Sequence, residues 1–138
     1  MKNNARFSIT TVQKSGGETD RFETFALGSV EKSGETCTFR YTEDGKQKVS
    51  STITVSDGGS AVIERNGDFS SKIFLEKNEL KPFEYSTPFG TLNMAALADT
   101  IILNSESLGG KILFRYTLYN DGIVFSENEV TVSYQIEQ

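Results

Sequence analysis

In this 138-residue sequence the side chains able to do chemistry are carboxylates, tyrosines and arginines, because histidine is absent and cysteine occurs once, at Cys37. Lack of histidine excludes Ser-His-Asp and Cys-His relays and removes the commonest zinc ligand. Cys37 sits between Thr36 and Thr38 in an alternating run with nothing nearby to lower its pKa, so it reads as a small apolar residue. A lone cysteine also excludes an internal disulfide. The acidic pairs Glu18/Asp20, Glu43/Asp44 and Glu127/Glu129 have the residue types for glycosidase or metal chemistry. Most fall in turns or on solvent parity, and no spacing matches a calcium loop. The expectation is a protein that is not an enzyme, with no metal and no other cofactor.

The tyrosines and arginines are more informative, because period-two alternation says which of them share a face. Cys37, Phe39 and Tyr41 form one row; Val49, Ser51, Ile53 and Val55 a second; Ile112, Phe114, Tyr116 and Leu118 a third; Val130, Val132, Tyr134 and Ile136 a fourth. Arg65 shares parity with Ala61 and Ile63 near a strand end. Phenols and one guanidinium on an apolar lining suit a small apolar or amphipathic ligand, with Arg65 neutralising an acidic head group. The candidate binding residues are Arg65, Phe39, Tyr41, Phe114, Tyr116 and Tyr134. The same pattern fits a solid core in which tyrosine hydroxyls reach the rim and Arg65 snorkels beside Asn66-Gly67. Both readings stay open at this stage.

Positioning these residues requires a sheet. Residues 6–14, 20–32, 60–66, 71–77 and 83–105 also have strand composition. Phase slips between Phe22 and Phe25/Leu27, and between Phe125 and Val130, predict a bulge or bend at each place. Met94–Asp99 has helical propensity, but Leu92, Met94, Ala96 and Ala98 share parity, which favours a strand. Turn signals at Gly16-Gly17, Ser33-Gly34, Asp44-Gly45, Asp57-Gly58-Gly59, Asn66-Gly67, Gly109-Gly110 and Asp121-Gly122 suit successive hairpins. The fold class is therefore all-β, a single antiparallel up-and-down barrel of eight to ten strands in one domain over residues 1–138. Residues 78–90, with Leu80, Phe83, Tyr85 and Phe89, either plug the barrel or lie outside it as an interface.

Charge narrows the partners. Fourteen basic and 19 acidic residues give a net charge of −5, unfavourable for nucleic acid or an anionic membrane. Phe39-Arg40-Tyr41 and Phe114-Arg115-Tyr116 interleave aromatic and basic residues, but on a strand each arginine points away from its aromatic neighbours. The longest apolar run, Met94 to Ala98, is far below the ~20 residues that span a bilayer. Met1 to Arg6 lacks the apolar core of a signal peptide, so a cytoplasmic location is expected. A small amphipathic ligand is the leading partner; a homodimer or a protein partner is the alternative.

Three stretches carry a family resemblance: Ser56 to Gly67, Tyr85 to Met94, and Gly110 to Leu118. With Gly28 and Tyr41 they resemble, in order and spacing, the YwiB-like family of bacterial proteins of unknown function. The resemblance implies a calycin-type barrel similar to lipocalins and fatty-acid-binding proteins. It implies no known reaction and carries no established site residues.

Overall fold

Alternating rows with glycine-rich punctuation become ten strands in the structure, a computed structural model that describes residues 2–43, 49–56 and 58–137. They are β1 (Lys2–Ser15), β2 (Glu18–Ser33), β3 (Thr36–Glu43), β4 (Val49–Ser56), β5 (Ser60–Asn66), β6 (Ser70–Glu76), β7 (Leu80–Thr87), β8 (Gly90–Ser105), β9 (Gly109–Asn120) and β10 (Ile123–Ile136). Each pairs with the next, and β10 returns to β1, closing an antiparallel up-and-down barrel. Closure removes the free edges that an open sheet would expose. Among the described residues no helix is long and apolar enough to cross a membrane.

Turn chemistry explains most connections. Gly16 and Gly17 have φ of 59° and 83°, and Asp121 and Gly122 have 50° and 78°. Two successive positive φ values give the hairpin turn whose twist matches that of the strands. Asp44-Gly45 and Asp57 lie outside the described residues.

Four expectations need correction or resolution. Gly109-Gly110 is not a turn but the start of β9, where a Cβ on Gly110 would stand 2.6 Å from the Tyr134 hydroxyl. Glycine is there so that a ring can lie against the backbone. Residues 83–105 are two strands, divided at Pro88-Phe89 before Gly90. Residues 78–90 therefore neither plug the barrel nor leave it, because β7 is part of the wall with Phe83 buried. No register shift interrupts the β1–β2 pairing; Phe22 lies on the inner parity, while Phe25 and Leu27 are exposed on the outer face. The slip near Phe125 is a bulge between Val124 and Ser126, as expected, and Met94–Asp99 is strand.

The core is an aromatic plug. Phe7, Phe39, Tyr41 and Tyr134 stack with centroid separations of 5.0–6.4 Å. Phe114, Ile53, Leu75, Ile112 and Val132 are fully buried around them. Ten strands make a wider tube than eight, so large rings are what fill it. Two of these rings, Tyr41 and Tyr134, pair across strands with Gly28 and Gly110. Gly28 also lets β2 approach β3 so closely that a Cβ would collide with the Arg40 carbonyl.

One seam in the wall is weak. β6 and β7 share only the pairs Ser70–Ser86 and Ser71–Tyr85, whereas β5 and β6 pair from Ser60–Glu76 to Arg65–Ser71. Pro82, lacking an N–H, lies in the unladdered part of β7. Lys81 ties its far end through Glu76 and Glu79 at 3.1 and 3.2 Å.

Two outcomes follow. Gly28→Ala should destabilise the barrel by about 1–3 kcal/mol, because backbone must shift to admit the methyl group; a urea midpoint equal to wild type would contradict the close approach. In native-state hydrogen exchange, those amides of Lys72–Glu76 that face β7 rather than β5 should exchange well before those of Leu113–Tyr116, which are laddered on both sides. Uniform protection would remove the seam.

Candidate functional site at the barrel mouth

The inner face changes character along the barrel. At the end formed by the hairpins at Gly16-Gly17, Gly67–Phe69, Pro88-Phe89 and Asp121-Gly122, the apolar rows give way to polar residues. We call this end the mouth. Register makes the change continuous: Tyr41 pairs with Ser51, Ser51 with Arg65, Arg65 with Ser71, and Ser71 with Tyr85. Because inner residues alternate on every strand, this row is one polar shelf above the aromatic plug. On another part of the wall Tyr116 lies between Ala98 and Asn128. Asn128 Nδ2 donates to Ser126 Oγ at 3.0 Å, a buried pair on the same face.

Arg65 is the shelf's cation. Its Nη2 donates to Glu43 Oε2 at 3.3 Å, with side-chain exposures of 49% and 23%. The partner that an inward arginine requires is thus a carboxylate of the protein. So exposed a pair contributes little stability. One such bond also leaves most of the five guanidinium N–H donors unassigned.

Both nearby phenols are held neutral. Burial pushes the Tyr116 phenol up to about 12, with the Arg65 charge opposing and Tyr41 reinforcing the rise. Tyr116 as a whole is partly buried against the core, and protein surrounds its phenol. Burial also raises Tyr41, opposed by the Ser51 hydroxyl and Arg65 and reinforced by Glu43. Neutral phenols remain hydrogen-bond donors at physiological pH. The Ser51 hydroxyl, 2% exposed, acts as a hydrogen-bonding neighbour of the Tyr41 phenol, in a geometry just short of a full hydrogen bond.

The six sequence-derived candidates separate into two groups. Arg65, Tyr41 and Tyr116 come together at the mouth, close enough for the Arg65 charge to act on both phenols. Phe39, Phe114 and Tyr134 lie in the filled half; Tyr134 shares a 3.1 Å hydrogen bond with Ser105, and Phe39 and Phe114 are fully buried. Burial likewise pushes the Cys37 thiol up, disfavouring a thiolate. Sequence reasoning passed over Ser126 and Asn128, and weighed Glu43 only as half of an acidic pair with Asp44, not as the partner of Arg65. The signal for Glu43 was its parity with Phe39 and Tyr41, and for Asn128 its parity with Val130 and Val132. Two surface depressions of about 370 and 320 Å³ lie away from Arg65, one beside Arg6, Leu108 and Glu137, the other at the mouth end between Lys14–Thr19 and Val124–Glu127.

Comparison with known proteins agrees with the architecture. A family model described as "Domain of unknown function (DUF1934)" matches residues 7–132. A crystal structure of the ywiB protein from Bacillus subtilis superposes with a TM-score of 0.87 at 17% identity, covering 99% of this chain and 94% of that one. At that identity the likeness establishes the fold. No curated protein matches the sequence significantly.

The phenols give an alkaline signature. A phenol near 10 in the unfolded chain and near 12 at Tyr116 binds its proton more tightly when folded. Its contribution is complete below pH 10 and is lost as pH rises through about 12. Urea unfolding should therefore show stability falling across that window, and less steeply in Tyr116→Phe. Identical slopes in the two proteins would contradict the assignment.

Proposed function

The chain belongs to the DUF1934 family, a family of unknown function, and on that premise we propose that it is a non-catalytic cytoplasmic binding protein taking a small amphipathic acid at the mouth of the barrel. The observation that carries this reading is Arg65, half-exposed on the polar shelf with one hydrogen bond to Glu43 and most of its donors unassigned. A carboxylate above the shelf would accept from the exposed Arg65 guanidinium, with the Ser51, Tyr41 and Tyr116 hydroxyls as neutral polar groups beneath it. Glu43 then acts as the resident anion with which a ligand competes. Such a site is shallow, because Phe39, Phe114 and Tyr134 occupy the space beneath it.

A second reading is a protein-interaction barrel with a packed core. The exposed Phe25 and Leu27, on the outer face of β2, favour it. The two differ in where substitutions act.

Calorimetric titration with octanoate separates them. Charge-assisted hydrogen bonds of about 1.5–3 kcal/mol make Arg65→Ala roughly ten- to a hundredfold weaker. Tyr116→Phe should weaken binding by a smaller factor. Equal affinity in wild type and in the Arg65→Ala, Tyr116→Phe double variant would remove the site.

A further inference from the structure

Closure leaves part of β2 uncovered, because β2 has 16 residues and its neighbour β3 has 8. On one side β2 is laddered to β1 from Lys2–Glu31 to Ser15–Glu18. On the other, among the described residues, it pairs with β3 only from Leu27–Thr42 to Ser33–Thr36. The half from Glu18 to Ala26 therefore has one laddered neighbour, and its second row of backbone N–H and C=O groups faces away from the sheet. Burial agrees. Glu18 to Glu23 are all exposed, whereas a strand covering a core alternates between buried and exposed.

Charged side chains on an edge ordinarily deter pairing. Here their order makes the edge complementary to itself. Arg21 and Glu23 share the outer face and make a loose contact of 3.8 Å, with side-chain exposures of 65% and 56%. A two-fold axis through an antiparallel pair of identical strands sets each residue opposite one of the same parity, so outer residues meet outer residues. With the axis at Phe22, Arg21 stands opposite the second copy's Glu23, and Glu23 opposite its Arg21. Phe22 then meets its own copy, and Asp20 meets Thr24. An axis one residue to either side would set Arg21 against Arg21 or Glu23 against Glu23.

We propose that two copies of this chain associate edge to edge through β2, antiparallel about a two-fold axis at Phe22. Arg21 and Glu23 exchange their contact within one strand for two reciprocal pairs between strands. One strand edge is a small interface, so the dimer is weak and forms as concentration rises. This inference goes beyond the carboxylate reading and is independent of it, so failure of either leaves the other standing.

Sedimentation equilibrium of the full chain, from roughly 1 µM to 1 mM, tests the proposal. Wild type should pass from monomer to dimer across that range. Arg21→Glu and Glu23→Arg each set like charges opposite one another twice, and each should weaken dimerisation roughly tenfold or more. Mixed together, the two variants should form a heterodimer more tightly than either pairs with itself, since each supplies the charge the other lacks. The Arg21→Glu, Glu23→Arg double variant should recover wild-type dimerisation. Recovery in the mixture and in the double variant also excludes a folding defect as the cause of the loss. A wild type that stays monomeric at the highest concentration, leaving the edge to a strand of another protein, would overturn the proposal. Equal dimerisation in wild type and both single variants would do the same by placing the contact elsewhere. Weakening with no rescue in the mixture would overturn the two-fold register.

Discussion

Filling one half of a ten-stranded barrel is the constraint on which the rest of this structure depends. A tube of that width encloses more space than aliphatic side chains readily occupy. The chain meets the demand with Phe7, Phe39, Tyr41 and Tyr134 in mutual contact, backed by Phe114 and a ring of branched residues. Aromatic rings bring large apolar area and defined edge and tilted geometries, so they fill the lumen and fix it. Gly110 belongs to the same solution, because the ring of Tyr134 needs bare backbone opposite it, while Gly28 lets the β2 and β3 backbones approach beside Tyr41. With the plug in place, polar side chains of the inner face gather as a cup of hydroxyl, amide and charged groups toward the mouth, which is where the proposed site lies.

Within the cup, polarity and burial oppose each other. Tyr41, Tyr116 and Ser51 lie where desolvation disfavours charge, and both phenols are accordingly held neutral. Arg65 escapes the same penalty by reaching the mouth and meeting Glu43. Among the described residues the result is the Arg65 cation beside neutral hydroxyls, with Glu43 as the carboxylate it contacts. Such a set is suited to the anion proposed as ligand.

Much of this was legible in the residues themselves. Alternation in Cys37–Tyr41, Val49–Val55, Ile112–Leu118 and Val130–Ile136 placed side chains correctly on the inner face. Closure followed from hairpin spacing and from the absence of helical runs. What alternation could not supply was depth along the barrel. Phe39 and Tyr41 share parity and both join the plug, yet only Tyr41 also stands on the polar row, because height depends on strand tilt and pairing. Glycine was ambiguous for a related reason: Gly110 marks close approach by a ring from another strand, whereas Gly17 and Gly122 mark turns. Likewise Phe25 and Leu27 broke the apolar pattern by facing outward, not through a bulge.

The central claim is that the polar cup around Arg65, and not the packed half or the outer wall, is where this protein meets its ligand. Nuclear magnetic resonance of the labelled protein during titration with octanoate tests it most directly, through the Arg65 Nε–H, the backbone of Ser51 and the rings of Tyr41 and Tyr116. The account predicts saturable shifts at these four residues, with the Phe39 and Phe114 rings unmoved. Shifts confined to the outer face near Phe25 and Leu27, or spread through the plug, would contradict it.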